Sequence, residues 1–165
     1  MDLEKEVEKY KQGNAQSFDK IYHETKALVQ FAIYSKIPNY FIIQDLIQDT
    51  YVKANQMISN YQAKNFRSWI YTIAKNVALD YLKKKKETNL DNLDVLPDMK
   101  STHPYLYYAL RHLEEMEREV FLMKVLCGHT TKKISEILNL KPSIVNQLYY
   151  SAKQKLKECL EDEEL

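Results

Sequence analysis

The side chains with the greatest reach toward a ligand gather in one stretch, Phe66 to Lys86 (FRSWIYTIAKNVALDYLKKKK). At 3.6 residues per turn, Phe66, Ile70, Ile73, Ala74, Val77 and Tyr81 fall on one side and face a core. The opposite side carries Ser68, Thr72, Lys75, Asn76, Leu79, Asp80 and Lys83, with Trp69 at its edge. These residues can recognise rather than make or break bonds. Lysines neutralise phosphates, Asn and Thr hydrogen-bond base edges, and an indole stacks on a base. A plain bundle helix with a core Trp and a solvated lysine end fits the same pattern.

Covalent chemistry has no comparable cluster. The sequence holds no nucleophile–base pair, glycine-rich phosphate loop or paired metal ligands. Cys127-x-His129 has ligand-like spacing, but without a second pair nearby zinc is not expected. His23, His103 and His112 are scattered and read as structural or solvated. The expectation is a non-enzyme with no cofactor and no metal.

Composition sets the frame for the elements that must carry these residues. The 165 residues suffice for one medium domain or two small ones, and 45% hydrophobic content allows a packed core. With only 2 Gly and 4 Pro, a turn-rich β fold is disfavoured and an all-α fold is expected. The net charge of +1 conceals a strong segregation. Between Tyr61 and Lys86 lie Lys64, Arg67, Lys75, Lys83, Lys84, Lys85 and Lys86 against Asp80 alone, and Lys141 to Lys157 contains lysines and no acid. Two basic islands separated by acid suit a polyanion better than the sum suggests.

The 2 cysteines, Cys127 and Cys159, imply no disulfide framework and a reducing compartment. No apolar run approaches the roughly 20 residues of a membrane span, and the acidic start Met1-Asp2-Leu3-Glu4 is unlike a signal peptide. A soluble cytoplasmic protein without membrane partners is expected.

Periodicity predicts a short helix over 2–12 with Leu3, Val7 and Tyr10 inward, broken at Gly13-Asn14. Asn14 is placed to cap a helix over about 15–36. Pro38-Asn39 closes that helix and caps a third, about 40–58. Its buried stripe is Ile43, Leu46, Ile47, Thr50, Ala54, Met57 and Ile58. Its other face presents Gln44, Asp45, Gln48, Asp49, Asn55 and Gln56 around Val52, as either a docking surface or an ordinary solvated face. Ser59 to Asn65 is a polar loop into the lysine-tailed helix.

Residues 87–103 lose the helical period and read as an acidic linker, too long for a compact domain. That divides the chain into domains at 1–86 and 104–165. In the second, Pro104 opens the first of two helices, about 105–113 and 115–127, and Gly128 ends the second. Thr130 caps a short helix, Thr131 to Leu138, with Ile134, Ile137 and Leu138 inward. After the turn Asn139-Leu140-Lys141, Pro142 begins a last helix to about Leu160. Val145, Leu148, Ala152, Leu156 and Cys159 face inward there, and Ser143, Asn146, Gln147, Tyr150, Lys153, Gln154 and Lys157 face outward. A short helix, tight turn and basic longer helix make a helix-turn-helix, with a plain helical hairpin as the alternative.

Three stretches resemble the extracytoplasmic-function (ECF) class of bacterial RNA polymerase sigma factors, in the sigma-70 family. Trp69-Ile70, Ile73-Ala74-Lys75-Asn76, Asp80 and Leu82-Lys83-Lys84 resemble a signature of its second conserved region. Gln44-Asp45-Leu46-Ile47-Gln48-Asp49-Thr50-Tyr51 resembles Glu-Asp-Leu-Val-Gln-Glu-Val-Phe, with Gln44 in place of Glu. Lys132-Lys133-Ile134-Ser135-Glu136-Ile137-Leu138 through Ser143, Val145 and Leu148 resembles the fourth region.

The resemblance implies that Gln44, Asp45, Gln48, Asp49, Val52 and Lys53 dock on the β′ clamp helices of core polymerase. It implies that Tyr61, Lys64, Asn65, Arg67, Trp69, Thr72, Lys75, Asn76, Asp80, Lys83 and Lys84 meet the melted minus-ten promoter element. Lys132, Lys133 and the outward residues of the last helix would read upstream promoter DNA. The β flap of the polymerase and an anti-sigma factor are further partners that it implies. Ser151-Ala152 stands where Arg-Ala is common, and Asn146 where Arg or Lys is common. Fewer arginines mean fewer bidentate guanine contacts. A sigma-like DNA binder without productive polymerase contact and a helical protein-interaction module are the rival functions.

Overall fold

The computed structural model describes residues 1–62, 64–88 and 104–161, which form α-helices and one 3₁₀ turn and, among the described residues, no strand. No described helix is long and apolar enough to cross a membrane. The chain divides into two compact units. Of the linker expected at 87–103, Glu87 and Thr88 still belong to a helix, and 89–103 lie outside the described residues.

The first unit contains α1 (Leu3–Lys11), α2 (Gln16–Tyr34), α3 (Tyr40–Met57), a 3₁₀ turn at Ile58–Asn60, and α4 (Phe66–Thr88). α2 packs against α1, α3 and α4, and α3 also packs on α4. Ile21, Leu28, Val29 and Ile33 of α2, Ile43 and Ile47 of α3, and Phe66, Ile70 and Ala74 of α4 are all buried. Each large side chain so removed from water contributes about 1.5–3 kcal/mol. Because α4 touches two helices, its buried stripe is wider than predicted and takes in Tyr71 and Ala78, while Tyr81 is only half-buried.

Caps explain the boundaries. Asp2 accepts from the Lys5 N–H at 3.4 Å, and Asn39 from the Ile42 N–H at 3.4 Å, as Pro38-Asn39 predicted. At α2 the capping residue is Ala15, with no side-chain bond, rather than Asn14. The Asn14 backbone carbonyl accepts from the Ser17 N–H at 3.1 Å, so a main-chain turn does the work. Met57, expected inside, is 50% exposed. It is the last residue of α3, whereas Ile58, which opens the 3₁₀ turn, is buried as expected.

The second unit contains α5 (Pro104–Arg111), α6 (Glu115–Val125), α7 (Thr131–Leu138) and α8 (Pro142–Glu161). α8 packs against the other three, over a core of Leu110, Leu113, Val120, Leu122, Ile134, Val145, Ala152 and Leu156. Gly128 ends the α6 region at φ 70°, with the His129 N–H donating back to the Met123 carbonyl at 3.1 Å. Thr130 caps α7 by accepting from the Lys133 N–H at 3.2 Å, and Asn139 stops it at φ 53°. Ile137, expected inward, is 45% exposed. It lies three residues past Ile134, about 60° round the helix from that buried line, and an eight-residue helix presents only a narrow inner face.

Candidate nucleic-acid interface

The outer face of α3 is set by its inner one. With Ile43, Leu46, Ile47, Thr50 and Ala54 buried, Asp45, Gln48, Asp49, Val52 and Lys53 are driven to the surface, and Gln44 is half-buried. Val52 is 57% exposed at the middle of this face. Phe41, one turn before Asp45, is 72% exposed and was not foreseen as part of the surface. Its signal was the aromatic pair Tyr40-Phe41 at the start of the helix. Lys53 Nζ lies 3.4 Å from Asp80 Oδ2 on α4, so two residues expected to serve different partners pair with each other.

On α4, Lys64 in the preceding loop and Thr72, Asn76, Asp80, Lys83 and Lys84 on the helix are exposed, and Trp69 and Lys75 are partly so. Three predicted residues carry structural duties as well. Asn65 Oδ1 accepts from the Ser68 N–H at 3.0 Å and caps the helix. The Thr72 hydroxyl donates to the Ser68 carbonyl at 3.0 Å. Arg67 reaches α2, with Nη2 3.3 Å from Glu24 Oε2 and Nη1 donating to the Glu24 carbonyl at 3.2 Å.

Tyr61 is a correction. Expected on the loop surface, it is only 4% exposed. Its hydroxyl lies 2.9 and 3.1 Å from the two carboxylate oxygens of Glu4, and its ring centroid is 5.3 Å from Phe66 and 5.1 Å from Trp69. Burial, reinforced by the Glu4 carboxylate, pushes its phenol above the ordinary value. The side chain is a packing element, and the exposed neighbours in the loop are Gln62 and Lys64.

In the second unit, Lys132, Lys133, Ser143, Asn146, Gln147, Tyr150, Lys153, Gln154 and Lys157 are all exposed, as predicted. Asn146 is also oriented from behind. Lys124 Nζ donates to the Thr131 hydroxyl at 2.6 Å, which donates to Asn146 Oδ1 at 3.0 Å, linking α6, α7 and α8. Lys124 and Lys153 lie 5.1 and 5.7 Å from the Tyr149 ring centroid. Thr131 was not singled out by sequence, where only its place at the first position of α7 marks it.

A buried carboxylate fixes α8 against α6. Glu117 Oε1 accepts from Ser151 at 2.5 Å, and Oε2 from Lys155 Nζ at 2.9 Å and from the Glu114 N–H at 2.8 Å. Burial raises the proton affinity of this group, but the Ser151, Lys155 and Glu114 bonds outweigh it and hold its pKa below the ordinary value. His129 is shifted down by burial and by Lys133, and so favours its neutral form. The arrangement offers surface hydroxyls, amides and cations and, at the described site residues, no nucleophile poised beside a base.

Comparison with known proteins accounts for both units. The family model for Sigma-70 region 2 matches residues 21–88, and that for Sigma-70, region 4 matches residues 104–156. The chain is 24% identical over 172 residues to the ECF RNA polymerase sigma factor BldN of Streptomyces coelicolor, covering 95% of this chain and 65% of that protein. It is 24% identical over 153 residues to the ECF RNA polymerase sigma factor SigM of Bacillus subtilis, covering 86% and 93%. Its fold is similar to that of the sigma factor RpoE in complex with the anti-sigma factor NepR from Bartonella quintana. The TM-score there is 0.63 at 20% identity, over 87% of this chain and 95% of that one.

Proposed function

The chain belongs to the sigma-70 family, in the ECF class of RNA polymerase sigma factors, and on that premise we propose that it binds core RNA polymerase and directs promoter-specific initiation. The observation that carries this reading is the exposed α3 face of Asp45, Gln48, Asp49 and Val52, held in one unit with the basic, polar edge of α4. The first would dock on the β′ clamp helices through Gln44, Asp45, Gln48, Asp49, Val52 and Lys53. The second would meet the melted minus-ten strand through Trp69, Thr72, Lys75, Asn76, Lys83 and Lys84, with Lys64 from the loop. Asn65, Arg67 and Asp80 then act mainly by shaping that edge.

The second unit would lie against the β flap and place α8 in the major groove of the upstream element. Ser143, Asn146 and Gln147, near the N-terminus of α8, would reach base edges. Lys132, Lys133, Lys153 and Lys157 would meet phosphates, with Tyr150 and Gln154 beside them. Residues 87–103 would join the two domains, 1–86 and 104–165. The polymerase performs the chemistry in the cytoplasm, and this chain selects where it starts. RpoE was solved with an anti-sigma factor, and a partner of that kind is a candidate regulator here.

Run-off transcription with purified core polymerase on DNA from the source genome tests the reading. Promoter-specific transcripts that require the protein, and vanish when Asp45 and Asp49 are both changed to Lys, are the expected result. Polymerase binding with no transcript from any fragment would favour a DNA-binding regulator instead. No binding to polymerase would leave a helical interaction module.

A further inference from the structure

We propose that Glu4, on α1, is a positioning residue for minus-ten recognition, acting on α4 from outside the DNA-facing surface. The inference rests on the sigma reading above. Glu4 lies ahead of the residues matched by the region 2 family model, 21–88, so nothing in that match assigns it a role.

The geometry is specific. One carboxylate receives the Tyr61 hydroxyl at 2.9 and 3.1 Å and the Phe66 N–H at 2.7 Å, across 57 and 62 residues of sequence. Lys11, also on α1, donates from Nζ to the Tyr61 carbonyl at 3.1 Å. Thus α1 grips both the residue that leaves the 3₁₀ turn and the residue that begins α4. Phe66 supplies the first N–H of α4, a donor that no helix satisfies internally, and Glu4 brings both an acceptor and a negative charge to that positive end. Asn65 serves Ser68 two residues further on, so the first turn is anchored at two points by two different side chains.

Trp69 is what this anchoring orients. Its ring lies 5.1 Å from Tyr61 and 5.1 Å from Phe66, the two residues that Glu4 holds. Released from Glu4, the Tyr61 phenol would be a buried hydroxyl without its acceptor, and the aromatic cluster would shift to rehydrate it. A partly exposed indole at the edge of the α4 polar face moves with that cluster. Glu4 touches no nucleic acid in this account, and its effect on DNA is exerted entirely through Tyr61, Phe66 and Trp69.

Trp69 is the only tryptophan in the chain, so its emission reports this site directly. Glu4→Ala and Glu4→Gln are compared with wild type by tryptophan emission, acrylamide quenching, core polymerase affinity and run-off yield. Glu4→Gln preserves shape and one acceptor oxygen, and guards against a variant that fails to fold. The expected result is red-shifted emission and increased quenching in both variants, greater for Ala. Run-off should fall about tenfold, as loss of charge-assisted hydrogen bonds implies, with polymerase affinity changed less than about twofold. Unchanged emission and quenching in Glu4→Ala, or a fall in polymerase affinity parallel to the fall in run-off, would overturn the proposal. A wild-type protein that supports no transcription would instead overturn the sigma reading, whatever the variants do.

Discussion

Lys53 on α3 and Asp80 on α4 form an ion pair of 3.4 Å, bridging the face assigned to polymerase and the face assigned to promoter DNA. Both side chains are about half exposed, so the pair is screened and contributes little to stability, about 0–1 kcal/mol. A double-mutant cycle of Lys53→Ala and Asp80→Ala, read by urea unfolding, should give a coupling energy inside that range. A much larger coupling would show that the bridge organises the unit.

Phe41 and Val52 are large apolar side chains left in solvent on the α3 surface. Substituting them removes little from the free protein, within about 0.5 kcal/mol. If they anchor the polymerase contact, Phe41→Ala and Val52→Asp should each weaken core polymerase binding by about tenfold or more. Titration of labelled protein into core enzyme, beside a thermal melt, separates the two effects. Unchanged affinity in both variants would restrict docking to the polar residues.

The buried Glu117 carboxylate gives the second unit a pH dependence of known sign. Its folded pKa lies below the ordinary 4.5, so its contribution is complete above that value and is lost as pH falls through the folded one. Glu117→Ala should destabilise the unit by about 2 kcal/mol near neutral pH, because Lys155 and Ser151 lose their acceptor. Urea unfolding of wild type and Glu117→Gln should differ at pH 7 and converge as pH falls through the folded pKa. A difference that persists into acid would point to packing rather than charge.

Phosphate contacts and base contacts on α8 should separate by their salt response. Lys153→Ala and Lys157→Ala in the holoenzyme should weaken all promoters alike, each reducing the salt slope of log affinity by about one. Asn146→Ala should instead change which upstream sequences are preferred. Competition binding across a set of upstream variants at two salt concentrations distinguishes these outcomes. An unaltered slope in the lysine variants would remove them from the phosphate interface.

Much of this arrangement was legible because local signals are strong where helices begin and stop. Thr130, Gly128, Asn139 and Pro142 delimit α7 and the start of α8 through capping and backbone preference, which act over a few residues. The outward set on α8 followed from the same periodicity that buries Val145, Ala152 and Leu156. Tyr61 was illegible for the opposite reason. Its environment is made by Glu4 and by Trp69, and nothing near it in the chain announces a carboxylate arriving from α1. Met57 and Ile137 failed more mildly, one at the very end of its helix and the other through the short length of its helix.

The residues that halt helices here have a bearing on which substitutions the chain can accept. Both of its glycines, Gly13 at φ 98° and Gly128 at φ 70°, have open space where a β-carbon would stand, so bulk is no obstacle at either. Handedness is the obstacle, and at φ 53° Asn139 shows the side chain that tolerates it. Gly128→Asn and Asn139→Gly should therefore be interchangeable in kind, while alanine at any of these three places should cost about 1 kcal/mol without touching a neighbour. Among the described residues, a variant library would find intolerance at roomy, solvent-facing turns that a map of crowding would mark as permissive.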